Sequence, residues 1–243
     1  MYENNDYNNF GGYNVDAQRQ QQSTLSVYAS RVMRRVYLKM TLALVVTAFT
    51  ALFCVSTPSV IMAIVTNRIL FWGLIIGELA LVLFLSARID RMSESMSTLL
   101  FYVYAIVNGA VLSIIFLVYT MSSIALTFFI TAGVFGAMSI YGYFTNRDLT
   151  KIGSFLFMAL IGLIICTVVN IFLKSTAMDW LISFVGVAIF IGLTAWDTQK
   201  IKQWAAMSDG NSAGKVATMG ALSLYLDFIN IFLYLLRFFG RSN

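Results

Sequence analysis

Three acids stand where acids are expensive. Of the eleven Asp and Glu residues in this 243-residue chain, Glu78, Asp197 and Asp227 fall within or at the edge of long apolar runs. A charge at the centre of a bilayer costs roughly 2.5–3.5 kcal/mol on insertion scales, so acids placed there usually pair or serve a function. Asp227 is flanked by Leu224, Tyr225, Leu226, Phe228 and Ile229, and water at a helix end accounts poorly for it. Asp197 closes an apolar run, where a carboxylate exposed to water at a helix end is the alternative reading. Two close carboxylates in a low dielectric cannot both ionise cheaply. Ionised together they need a cation, either an Arg guanidinium or a hard metal ion such as Ca²⁺, which prefers oxygen ligands. Histidine is absent, which removes the usual pH switch and the commonest metal ligand. Any response to protons falls to the carboxylates.

The elements that must position these acids are membrane helices. The chain is 59% apolar and only 11% charged, where an average soluble domain is about a quarter charged. A spanning helix takes about 20 apolar residues, and seven runs meet that need, near 38–56, 69–87, 97–119, 122–144, 152–173, 179–197 and 219–239. The fold class is therefore all-α and integral to the membrane, with connections mostly under about a dozen residues. The longest connection expected is 198–218, which carries Ser, Asp, Gly and Asn. Residues 1–23 are rich in Asn, Gln, Tyr and Gly, a composition that cannot bury enough surface to offset ordering entropy, and read as a disordered polar tail. Residues 24–243 form the transmembrane domain. Its first part, 24–39, places Leu25, Tyr28, Val32 and Val36 at helical spacing, with Arg31, Arg34, Arg35 and Lys39 on other faces. That pattern suits either a basic interfacial helix or an extension of the first span into water.

Lys and Arg set the expected orientation. Twelve fall on the side of the N-terminal segment and of the connections after spans 2, 4 and 6; four, Arg68, Lys174, Arg237 and Arg241, fall on the other. The N-terminus is expected in the cytoplasm and the C-terminus outside. On that topology Arg88, Asp197 and, one or two turns deeper, Asp227 lie at compatible depths on the cytoplasmic side, with Glu78 near mid-membrane. Net charge is +5, but no basic patch is interleaved with exposed aromatics, so a nucleic-acid partner is not expected. Gly73 and Gly77 form a GxxxG; Gly109 with Ser113, and Ala188 with Gly192, form looser small pairs, all read as helix contacts. Cys54 and Cys166 read as small apolar residues.

The run ALSLYLDFINIFLYLLRFFG, Ala221 to Gly240, resembles the signature last helix of the Bax inhibitor-1 family. GLTAWDTQKIK, Gly192 to Lys202, is similar to that family's sixth-helix motif; NGAVLS, Asn108 to Ser113, and FTNRDLTKIG, Phe144 to Gly153, resemble its third helix and the join of its fourth and fifth. The resemblance covers about residues 30–240 and points to a prokaryotic-type member, with an inner-membrane location. It implies six helices surrounding a central C-terminal one. It also implies a pH-sensitive calcium leak gated by an aspartate pair, which falls on Asp197 and Asp227 as sensor and ion ligands. An acid and a basic latch residue on the second helix fall on Glu78 and Arg88, with Arg91 a second candidate for the latch. The implied partners are the bilayer, Ca²⁺ and protons, with no cofactor.

Two other classes compete. One is a membrane regulator that binds other membrane proteins, such as cell-death factors or proteases, in which the tail and the basic 24–39 segment matter more than the acids. The other is an intramembrane enzyme. No HExxH, GxSxG or Ser-Lys signature is present, and neither Asp follows the Gly-x-Gly context of intramembrane aspartyl proteases. No enzyme activity is expected.

Overall fold

A computed structural model describes residues 9–208 and 212–241, with side chains from Leu25 onward except that of Asp90. The helices are α1 (Asn9–Ser56), α2 (Pro58–Thr66), α3 (Arg68–Arg88), α4 (Glu94–Leu112), α5 (Ile115–Val118), α6 (Met121–Phe144), α7 (Thr150–Leu173), α8 (Thr176–Met207) and α9 (Ala213–Phe239). Among the described residues, seven segments are long and apolar enough to cross a membrane, α4 and α5 together supplying one of them.

Local chemistry fixes the breaks. Pro58 opens α2, where a missing N–H is harmless. Asn67 caps α3 by accepting from the N–H groups of Ile69 and Leu70 at 3.0 and 3.1 Å. Ser93, Thr120 and Ser175 cap α4, α6 and α8 in the same way. Lys174 ends α7 in the left-handed region at φ 51°. Asn170 braces that corner, its amide donating to Ser175 O and Asp179 Oδ1 while its carbonyl accepts from Ser175 N.

The last helix is the centre of the bundle. In α9, 67% of the most apolar stretch is buried, against 6% to 39% in the other six spans. Lipid is as apolar as leucine, so helices associate in a membrane by close packing and hydrogen bonds. α9 supplies both. Ala213, Ala217 and Ala221 form a small, fully covered stripe at four-residue spacing. Gly220 admits Ile201 of α8, and Gly214 admits the Glu94 side chain of α4; a methyl at either would collide. Further along, the Phe228 ring packs edge-on to Phe128 and Phe135 of α6 at 5.4 and 5.5 Å. By contrast α3 and α7 turn large apolar side chains outward, Ile76, Leu83, Ile165 and Phe172 among them.

Several boundaries differ from those expected. The basic stretch 24–39 is one helix with the first span, and it packs on the bundle through Ala29, Val32, Met33 and Val36, all buried. The α1 backbone is helical from Asn9, inside the segment expected to be a polar tail; residues 1–8 and the side chains before Leu25 lie outside the described residues. α8 continues ten residues past Asp197, because TQKIKQWAAM is amphipathic and buries Ile201 and Ala205. α9 begins at Ala213, so the connection expected over 198–218 contracts to a few residues. Gly109 does mark a close contact, against Thr47 and Thr50 of α1, and Gly192 another against Leu156. Gly73 and Gly77 face open space instead. Cys54 is buried and Cys166 is exposed on α7.

Candidate functional site

Three helices converge on the aspartates. Ser223, Asp227, Asn230 and Tyr234 recur at four-, three- and four-residue spacing and so share one face of α9. Leu193, Asp197 and Lys200 share a facing stripe on α8, and the apolar side chains of α7 close the third wall. Together they line a cavity of about 440 Å³ that contains both carboxylates.

The two acids differ in their surroundings. Asp227 lies fourteen residues along α9, about 21 Å from its start, and is 4% exposed. Its Oδ2 is the one buried side-chain polar atom among the described residues without a hydrogen-bond partner. An orphaned buried carboxylate oxygen is costly, so its retention needs a reason. Its electrostatic neighbours are Asp197 and Lys200, and the Thr194 hydroxyl is its polar neighbour on α8. Asp197 lies within α8, not at its end, and its carboxylate meets Lys200 Nζ at 3.7 Å, one turn away. The same ammonium sits over the rings of Trp196 and Trp204, 4.6 and 4.7 Å from their centroids. Lys200 is thus held beside the acid pair by one charge and two aromatic faces.

The other two expected residues lie elsewhere. Glu78 projects from α3 toward α4, where it accepts hydrogen bonds from Asn108 Nδ2 and, at 3.4 Å, from the Tyr104 hydroxyl. Asn108 Oδ1 accepts in turn from the Tyr225 hydroxyl at 2.8 Å, and Tyr225 meets Thr47 Oγ1 of α1 at 2.6 Å. A polar chain therefore runs from α3 through α4 and α9 to α1 and reaches α9 two residues from Asp227. Arg88 ends α3, exposed like Arg91. Among the described residues the ion pair of Asp197 is with Lys200, and Arg88 makes none. The 197/200 spacing was visible in the sequence; the Glu78 chain, built from residues 30 to 178 positions apart, was not.

Metal ligands are few. Among the described residues no three His, Cys, Asp or Glu side chains come together. The cavity offers a divalent cation two carboxylates, the Asn230 amide and the Ser223 and Tyr234 hydroxyls. Ca²⁺ takes six to eight oxygens, and the rest would have to come from water.

A seven-helix membrane bundle with its C-terminal helix at the centre and an aspartate on each of its last two helices defines the class. The chain belongs to the Bax inhibitor-1 family: residues 29–243 match the family model described as inhibitor of apoptosis-promoting Bax1. It is 50% identical over 212 residues to the Escherichia coli (strain K12) inner membrane protein YbhL, covering 86% of this chain and 91% of that one. A protein of Rickettsia prowazekii is 46% identical over 214 residues, covering 87% and 89%. One of Borreliella burgdorferi is 41% identical over 230 residues, covering 93% and 98%.

Proposed function

We propose that this protein is a proton-sensitive calcium leak of the inner membrane, with its N-terminus in the cytoplasm, and that Asp197 and Asp227 form its sensor. The observation that carries this reading is the unpartnered, buried Oδ2 of Asp227 facing a cavity shared with a second carboxylate. A resting hydrogen-bond network would satisfy that oxygen; a site that takes and releases protons or cations leaves it open. The sparse ligand set supports passage over storage, because conduction requires an ion to be bound weakly enough to leave.

In this account protons neutralise the acid pair and weaken its hold on the neighbouring cation, and the path opens. Ionisation restores the attraction and closes the end of the bundle where most Lys and Arg lie. Lys200 is the cation at Asp197 in this conformation. Arg88 is the latch in a closed state that brings α3 against α8, and Glu78 communicates with α9 through Asn108 and Tyr225. No bond is made or broken in this function, so the protein acts without catalysis.

Ca²⁺ flux into proteoliposomes, measured at a series of pH values, tests it. Asp227→Asn and Asp197→Asn are each expected to flatten the pH response. Unchanged flux and pH response in both variants would sink the proposal.

A further inference from the structure

A second cavity lies on the opposite side of α8. α1 and α6 both pack on α8 yet leave a cleft of about 420 Å³ between them. Met33 and Phe135, both buried, form part of its wall. Its depth is closed by a hydrogen-bonded line in which the Tyr37 hydroxyl donates to Ser139 Oγ at 3.2 Å and Ser139 meets Thr198 Oγ1 at 3.0 Å. The rim is open, since Ile140 and Phe144 are 62% and 71% exposed. From Phe144 at the end of α6 to Phe135 the cleft runs about 13 Å along the helix, the scale of much of one leaflet's hydrocarbon.

Charge is concentrated at one end of this apolar slot. Arg34 lines it where the apolar part of α1 begins, exposed and without an ion pair to any described residue. Beside it, behind the Tyr143 wall, Lys202 Nζ donates to the Tyr143 carbonyl at 2.6 Å and lies 4.5 Å from the centre of the Tyr143 ring. An apolar trough lined by one unpaired cation, Arg34, with a second, Lys202, behind its wall, matches one molecular shape: a fatty chain attached to an anion. Basic residues placed at headgroup depth attract anionic lipid by about 1 kcal/mol each.

We propose that the cleft between α1 and α6 holds an acyl chain of an anionic phospholipid from the surrounding bilayer, its phosphate at Arg34. Gly136 lies in the wall, and a methyl added there meets nothing within 4 Å. Gly136→Leu is therefore expected to extend into the slot. The site is independent of the aspartate pair, so it stands or falls separately from the calcium reading.

Native mass spectrometry of the full chain released from detergent, titrated with phosphatidylglycerol or with phosphatidylcholine of the same acyl chains, tests the assignment. The wild type is expected to retain phosphatidylglycerol in preference. Arg34→Gln should lower that retention about fivefold, the equivalent of one cation at the headgroup, while Arg31→Gln and Arg35→Gln leave it within a factor of two. Gly136→Leu should reduce retention of both lipids. Equal retention of the two lipids by the wild type, or equal losses in all three Arg variants, overturns the proposal. So does a two-chain species that Gly136→Leu dissociates, because a second copy would then occupy the cleft. Arg34 is exposed and unpaired, so its variant reports on the ligand even if Gly136→Leu folds poorly.

Discussion

Lys200 stands one helical turn from Asp197, 3.7 Å from its carboxylate, and is pinned there between two tryptophan rings. A fixed cation beside an acid pair stabilises its ionised form. Removing it makes ionisation harder, so protons are retained to higher pH. Lys200→Met is therefore expected to move the midpoint of the proton-dependent Ca²⁺ flux upward by about one pH unit, or about 1.4 kcal/mol of lost attraction. Flux titrations of wild type and variant in the same vesicles check this, and an unmoved midpoint would separate Lys200 from the sensor.

Tyr225 holds the bundle by its hydroxyl as well as its ring. It donates to Asn108 and meets Thr47, while Phe101 and Tyr104 pack edge-on against it at 5.7 and 5.8 Å. Tyr225→Phe keeps the ring and leaves Asn108 Oδ1 without its donor in a buried setting. The expected loss is about 1–3 kcal/mol, read as a lower melting temperature in detergent. A variant that melts with the wild type would show that the chain from Glu78 carries no stability.

The glycines separate sequence pattern from packing. Gly73-xxx-Gly77 matches the best-known membrane contact motif, yet a methyl added at either meets nothing within 4 Å. Gly109, in the looser pair with Ser113, lies against the α1 backbone at Thr47. Gly77→Leu should leave thermal stability unchanged, whereas Gly109→Leu should lower it by about 1–3 kcal/mol, in the range of other overpacked cores. Melting curves of the two variants make the comparison directly.

Asp148 is a control for pH effects. It lies in the connection between α6 and α7, where its Oδ1 accepts from the Thr150 N–H at 2.9 Å. The contacts with Thr150 hold its carboxyl below the ordinary value, and Lys151 adds to this. A carboxyl depressed in the folded state contributes stability above its unfolded value and loses it only as pH falls through the lower folded one. Asp148 thus stays ionised throughout the neutral range. Asp148→Asn is expected to leave the pH profile of flux unchanged, and a shifted profile would point to a sensor outside the aspartate cavity.

The seven spans and the two aspartates were legible in the sequence because a membrane punishes charge, so an acid such as Asp227 inside an apolar run stands out. The central position of α9 entered through family resemblance, though its residues carry the reason: Ala213, Ala217 and Ala221 align one covered face. Hydropathy ends the sixth span at Asp197, since Lys200 and Lys202 follow at once. The helix nevertheless continues, because Ile201 and Ala205 bury one face against the bundle while the charges keep another. That continuation turns Asp197 from a helix-end residue into a wall of the cavity. Contacts between distant positions, Glu78 with Asn108 and Asn108 with Tyr225, leave no local trace, because each residue alone is an ordinary polar interruption.

Asp227 is the buried member of the pair, and its own ionisation can be tested. Wild type and Asp227→Asn are reconstituted at matched density into vesicles containing a Ca²⁺-sensitive dye, and initial flux is recorded from mildly acidic to mildly alkaline pH. Wild-type flux is expected to rise as pH falls, and Asp227→Asn, whose side chain cannot ionise, is expected to show a flat profile while melting no lower than wild type. A folded Asp227→Asn protein with the wild-type pH profile would contradict the role of Asp227 in the sensor.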